Sequence, residues 1–291
     1  MIPAQLDVAH HHATVNGVRL HYVEKGAGPL VVLLHGFPES WWTWRYQLGP
    51  LADAGFRAVA VDLRGYNLSE RKGPYDIDTL ANDVRALIEH LNEARAFVIG
   101  HDWGGGLAWH FAATHPDSCR AVAVLNAPHP APFQKQLRSN VRQILRSWYM
   151  FFFLLPWLPE WFCLARDSAW LRKFYETSDA RGFSRQELAP IFDAIRQPGA
   201  IAAAIDYYRA AVKRGLREGK AFQHYAKVSA PALLAWGMRD RWLDFDTLVP
   251  GTEQWVPNLR VERLPGAHHF IQVERAPEVN ALLTGFFRAL V

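Results

Sequence analysis

Two cysteines in 291 residues, Cys119 and Cys163, are too few and too far apart for a disulfide framework or a cysteine-based metal site. That scarcity fits a reducing compartment, and a cytoplasmic protein is expected. Charge of one sign is also thin, with a formal net charge of +4 and no long Lys/Arg run. The nearest basic cluster, Lys213–Arg214 with Arg217 and Lys220, falls at helical spacing and reads as a solvated face. No nucleic-acid partner is expected. The opening segment MIPAQLDVAHHHATV lacks a basic stretch followed by an apolar core, so no signal peptide is expected. His10, His11 and His12 have no carboxylate beside them and read as an exposed lead-in, not a metal site. Internal repeats and low-complexity linkers are missing too.

No uninterrupted apolar run reaches the roughly 20 residues that a spanning helix needs. The nearest approach, Ser147 to Ala165, is broken by Pro156 and Pro159 and interrupted by Glu160. Interior prolines cost a helix about 3 kcal/mol each. The segment is expected to roof an apolar pocket, with no membrane span.

What is present is a long hydrophobic inventory, half of all residues, ample for a sizeable core in one or two domains. Asn16-Gly17 between two alternating segments is a two-residue hairpin signal. LVVLLHG (30–36), RAVAVDL (57–63), AFVIG (96–100) and AVAVLNAP (121–128) read as strands, the first three as strands buried on both faces. Amphipathic segments lie near 41–53 and 76–92, where Leu80, Val84, Leu87, Ile88 and Leu91 recur at helical spacing. Such alternation implies a mostly parallel sheet with helices on both faces. From 133 to 223 the chain turns helical and aromatic. Strands resume at ALLAWG (232–237) and LRVERLPGAHH (259–269), before an amphipathic helix near 274–290. The pattern is an α/β core, 1–132 and 224–291, interrupted by a helical insertion, 133–223.

The segment FVIGHDWGGGLAWHFA (97–112) runs a buried strand into Gly100-His101-Asp102-Trp103-Gly104 and then an apolar helix. This is the small-x-nucleophile-x-small pattern of a nucleophile elbow, in which a strained turn exposes its central residue above the sheet. Serine is usual there; here it is Asp102. A carboxylate is already an anion at neutral pH, and the helix start favours that form. It suits displacement at a strained or activated sp³ carbon better than opening a peptide or ordinary ester. A helix N-cap would account for the aspartate alone. A phosphate loop would want a different glycine spacing and no bulky Trp in the turn.

His35-Gly36-Phe37-Pro38 follows the first buried strand, where backbone N–H groups can hold an oxyanion; the candidate donors are Phe37 and Trp103. GMRDRWLD offers Asp240, with Asp244 as fallback, to orient a histidine, and PGAHHF offers His269 as base. Asp…Asp…His is the chain order of a Ser…Asp…His triad with the nucleophile replaced.

HGFPESWWTWRYQ (35–47), DLRGYNLSE (62–70), GHDWGG, the GMRD loop and the HHF…ERAPEVN tail together resemble the soluble epoxide hydrolases of the α/β-hydrolase superfamily. The resemblance runs nearly end to end in the core and is looser in the insertion, which corresponds to that family's helical cap. It implies an α/β-hydrolase fold, a mostly parallel central sheet flanked by helices with an inserted cap. It also implies two cap tyrosines whose hydroxyls hold an epoxide oxygen. RSWYMFFF resembles the first site, giving Tyr149, and IDYYRAAV the second, giving Tyr208 with Tyr207 as its rival. Where the family often has a glutamine after the first aromatic run, this chain continues Phe153-Leu154-Leu155, a more apolar lining.

The implied reaction converts an apolar epoxide and water to a vicinal diol through an ester on Asp102, with no metal or organic cofactor. Tyr149, Tyr208, Trp103 and Phe37 would contact the substrate. A haloalkane dehalogenase would share the aspartyl-ester chemistry, and Trp103 would suit halide. Phe37 stands, however, where many dehalogenases have asparagine. A fluoroacetate-type enzyme would need arginines after the nucleophile, where Trp103 and Gly106 stand. A non-catalytic ligand-binding relative would be expected to have lost a triad member, and all three are present. The sequence leaves monomer or homodimer open.

Overall fold

The computed structural model describes residues 6–176, 183–218 and 225–291. Asn16 and Gly17 both take positive φ, 45° and 73°, and close a hairpin between strands β1 (Ala9–Val15) and β2 (Val18–Lys25). The three histidines expected as a lead-in are therefore in an edge strand. His10 and His12 lie against His21 of β2, with His10 Nδ1 3.0 Å from His21 Nε2, while His11 stacks on Tyr22. Cross-strand pairing with β2 orders them, and they remain exposed.

Strands β3 (Leu30–Leu34), β4 (Arg57–Val61), β5 (Ala96–His101), β6 (Cys119–Leu125), β7 (Ala232–Gly237) and β8 (Leu259–Leu264) complete one eight-stranded sheet. Its order is β1-β2-β4-β3-β5-β6-β7-β8, antiparallel through β1, β2 and β4 and parallel from β4 onward. Every residue of β3, β5 and β7 is buried, because helices cover both faces of the sheet. The strand alternation divides the core in two. Val32, Leu34 and Val98 pack toward helices α2 (Ile77–His90) and α3 (Trp103–Thr114). Val31, Leu33, Phe97 and Ile99 pack on the opposite face, toward α1 (Leu48–Asp53) and the C-terminal helix α12 (Ala276–Arg288). The helix expected near 41–53 is split, since Trp41–Trp44 forms a tight 3₁₀ turn capped by Ser40 before α1 begins. α3 is apolar nearly all round because it lies buried behind the elbow.

Between β6 and β7 the described residues form helices α4 (Pro130–Ser139), α5 (Val141–Arg146), α6 (Trp148–Phe152), α7 (Leu158–Glu176), α8 (Arg185–Ile195) and α9 (Ala200–Glu218), with no strand among them. The expected boundary at 223/224 and Lys220 lie outside the described residues. Short helices α10 (Phe245–Leu248) and α11 (Ile271–Glu274) follow β7 and β8. The apolar stretch 147–165 has two faces. Tyr149, Met150, Phe153 and Cys163 are buried, whereas Trp148, Phe151, Leu154, Leu155, Trp157, Trp161 and Leu164 are exposed. Of these only Tyr149, Met150 and Phe151 line the cavity, so a roof over a pocket explains a minority of them. Among the described residues no helix is long and apolar enough to cross a membrane. Cys119 and Cys163 are free and buried, and burial pushes both thiols up to about 12.

Candidate active site

Asp102 sits between the end of β5 and the start of α3 with φ 50° and ψ −117°, a backbone region that an L-residue adopts only under strain. Its neighbours make the turn possible. A Cβ on Gly104 would lie 2.1 Å from the carbonyl oxygen of Leu34, and one on Gly36 would lie 2.5 Å from the Asp102 Cβ. The side chain makes no N-cap hydrogen bond to its own helix, so capping does not account for this aspartate. Instead Oδ1 accepts a 2.9 Å hydrogen bond from the Phe37 N–H, in the loop after β3. Trp103 is the first residue of α3.

His269 faces the other oxygen, with Nε2 3.6 Å from Asp102 Oδ2, an ion-pair separation just beyond hydrogen-bond range. Its Nδ1 donates to Asp240 Oδ2 at 2.7 Å. Asp240 is itself fixed: Oδ1 accepts from the Trp242 and Leu243 N–H groups, and Oδ2 also accepts from Asn126 Nδ2 at 2.7 Å. Asp244 is elsewhere, taking Arg146 at 2.9 Å and joining α5 to the start of α10. Of the two acids, Asp240 and not Asp244 is therefore the one in contact with His269.

The charges follow from this arrangement. Burial works against the Asp102 anion, but the facing His269 ring, His101 and the Phe37 N–H outweigh it and hold its pKa below the ordinary aspartate value. Burial raises and His269 and Asn126 lower the pKa of Asp240, with the same net result. Burial also opposes a charged His269, yet two carboxylates on either side hold its pKa well above the usual histidine value. These directions favour an imidazolium between two carboxylates.

Tyr149 of α6 and Tyr208 of α9 are both buried, with ring centroids 5.9 Å apart. Burial first, then the neighbouring Asp102 charge for Tyr149 and the Tyr149 and Asp102 sides for Tyr208, raise both phenols far above their ordinary pKa. They stay protonated and able to donate. Tyr207 is committed elsewhere, since its hydroxyl donates to the Arg64 carbonyl at 2.6 Å and its ring stacks on Tyr75. Asp102, Trp103, Tyr149, Tyr208 and Leu243 line one cavity of about 330 Å³. Phe37 contributes its amide to Asp102, while its ring packs edge-on against Phe153 and Tyr208. The Trp103 ring meets Tyr208 edge-on, 4.9 Å between centroids.

Sequence reasoning missed the second layer. Asn126 stands at positive φ (43°) after β6, accepting the Gly237 N–H while donating to Asp240. Its only sequence signal is an asparagine closing a strand, a type that tolerates the left-handed region. Glu39 and His101 form a fully buried pair at 2.8 Å, and the other His101 nitrogen faces the His269 carbonyl at 3.0 Å. Glu39 also accepts the Gly36 N–H, bracing the loop that carries Phe37.

Comparison with known proteins places this geometry. Residues 29–276 match the model of the alpha/beta hydrolase fold family. The AB hydrolase superfamily protein YfhM of Bacillus subtilis is 38% identical over 279 residues, covering 94% of this chain and 96% of the relative. Epoxide hydrolase 3 of Xenopus tropicalis is 37% identical over 286 residues, 94% of this chain and 76% of the relative. The crystal structure of Bacillus megaterium epoxide hydrolase in complex with an inhibitor superposes with a TM-score of 0.86 at 31% identity, covering 96% of this chain and 100% of that one.

Proposed function

The chain belongs to the α/β-hydrolase family, among its epoxide hydrolases, and from that premise we propose that it adds water to an apolar epoxide through an ester on Asp102. The observation that carries this reading is that Asp102, Tyr149 and Tyr208 line one cavity, with the His269–Asp240 pair set against the Asp102 carboxylate.

Tyr149 and Tyr208 donate to the epoxide oxygen, so the leaving alkoxide develops beside acidic groups. Asp102 Oδ1 is held by the Phe37 N–H, which leaves Oδ2 as the attacking atom. It displaces the ring oxygen from one carbon, and the C–O bond of a hydroxyalkyl ester forms as that of the epoxide breaks. The opened alkoxide takes a proton from the tyrosine pair. With Asp102 uncharged, His269 gives up its resting proton, in net terms to the tyrosinate, and the neutral ring then removes a proton from water, which attacks the ester carbon. The oxyanion develops on Oδ1, where Phe37 already donates and the Trp103 N–H is the second candidate donor. Collapse releases the vicinal diol and restores the carboxylate.

Esterification also prepares the base. The free carboxylate of Asp102 helps to hold the His269 proton, and an ester has no charge with which to hold it. Forming the ester therefore lowers the histidine pKa at the step that needs it neutral. Helices of the segment 133–223 serve as a cap on a core of 1–132 and 224–291, supplying both phenols to a nucleophile held by the sheet.

A single turnover in heavy-oxygen water tests the covalent step. The first diol should carry ordinary oxygen from Asp102, and the label should appear in the peptide containing it. Label passing straight into that diol would refute the ester. A panel of epoxides and haloalkanes, read as diol and as free halide, separates this reading from a dehalogenase.

A further inference from the structure

Thirteen large apolar side chains are exposed among the described residues, and nine of them fall between 141 and 164. They recur at helical spacing: Val141, Leu145 and Trp148 along α5 and α6, then Trp161 and Leu164 along the first half of α7. The turn between α6 and α7 presents Leu154, Leu155 and Trp157, the last 73% exposed, where a surface turn ordinarily carries polar residues. Phe152 packs on both Trp148 and Phe162, so α6 and α7 present their outer sides together. A clustered apolar surface of this kind marks an interaction site.

The charge around it identifies the partner. Residues 133–173 contain seven Lys or Arg, of which Arg146 and Arg172 are paired with Asp244 and Asp167, and two acidic residues, Glu160 and Asp167. Both acids are already met within the chain, Glu160 by Arg209 at 2.7 Å and Asp167 by Arg172 and Arg196. Arg142 and Arg166 stand exposed beside the apolar residues. Tryptophan and leucine on a helical face, flanked by arginine, is the composition of a segment lying in the headgroup region of a bilayer. A second copy docking by a two-fold axis would set the same cationic rim against itself. An anionic lipid surface complements it. The face is also continuous with the cavity, because exposed Phe151 and Leu216 line the cavity that ends at Asp102.

We propose that the outer face of α5, α6 and the start of α7 docks on anionic membranes, with Leu155, Trp157 and Trp161 entering the interface. The chain then rests on the bilayer without spanning it. Resting on the epoxide reading above, its substrates are epoxides of lipophilic compounds partitioned into that bilayer, which enter past Phe151.

The test measures vesicle binding without substrate, so its outcome is independent of the reaction. Purified full chain is sedimented with vesicles of phosphatidylcholine alone or with 30% phosphatidylglycerol, a composition chosen for the assay. Co-sedimentation should require the anionic lipid and fall at least about tenfold in 0.5 M salt, conditions set by screening. The triple variant Leu155→Ser, Trp157→Ser, Trp161→Gln should lose binding at least about tenfold and still turn over a water-soluble epoxide within about twofold. Should that variant misfold, quenching of native tryptophan fluorescence by lipids brominated on the acyl chain gives the same answer on the unaltered protein. No vesicle binding, or no bromine quenching, would overturn the proposal. A dimer in analytical ultracentrifugation that the triple variant converts to monomer would overturn it too, assigning the face to a second copy.

Discussion

His269 Nε2 stands 3.6 Å from Asp102 Oδ2, close enough to stabilise the carboxylate by charge but too far to tie up its oxygen in a short hydrogen bond. The other oxygen has its own donor in Phe37. The two carboxylate oxygens are thereby held differently, and under the proposed mechanism this asymmetry organises the expected behaviour.

Asp102→Asn should lower turnover by at least about 10³-fold, because an amide is neither an anion nor a comparable nucleophile. Steady-state diol formation measures it. Loss of less than about tenfold would mean that the ester route is not the main one.

His269→Gln should permit the first step and stop the second. Intact-mass spectrometry would then find the protein heavier by the mass of one epoxide, and peptide mapping would locate the addition on Asp102. An unmodified protein after prolonged incubation would speak against His269 as the base for ester hydrolysis.

The pH dependence should differ between the two steps. Asp102 has a pKa below the ordinary aspartate value, so ester formation persists as pH falls from 7 to 5, a range set for the assay. Breakdown needs neutral His269, whose pKa burial lowers and the carboxylates raise further. Acidification should therefore enlarge the burst of ester seen in rapid quench, and raising the pH should shrink it. A burst that grows with pH would reverse the assigned roles.

Tyr149→Phe and Tyr208→Phe should each reduce kcat/KM for epoxide by about 10²-fold. Tyr207→Phe should leave the chemical step nearly unchanged and cost about 1 kcal/mol of stability through its lost bond to the Arg64 carbonyl. Equal kinetic losses at Tyr207 and Tyr208 would contradict this division.

Asp240→Ala should cost about 10³-fold in ester breakdown, since His269 loses the group that fixes its tautomer. Asp244→Ala should keep activity within about threefold and lower stability by about 1 kcal/mol, as expected for the Arg146 pair. Thermal melts alongside single-turnover rates separate the two.

Much of this was legible in order of residues. Short strands in alternation with amphipathic helices produce a covered parallel sheet whatever the details, and Gly-x-Asp-x-Gly at a strand end leaves the backbone few other choices. Chain order was enough to nominate Asp102, Asp240 and His269, because in this topology the loops after successive strands meet at one edge of the sheet. The histidines at 10–12 are exposed as their sequence implies, but they form an edge strand, because pairing with β2 is a contact the local pattern does not contain.

Sequence by itself thus determined that a carboxylate stands in a strained turn at the strand end, since local sterics of glycine and the charge of aspartate act over a few residues. Tertiary structure decided the rest. Only packing could commit the Tyr207 hydroxyl to the Arg64 carbonyl, though Tyr207 and Tyr208 both line the cavity, are adjacent in the chain and are alike in chemistry. Only packing could put Asn126 on Asp240, across 114 positions of sequence. It also turned one half of the stretch 147–165 inward and left the other half exposed, a division that depends on where neighbouring helices run.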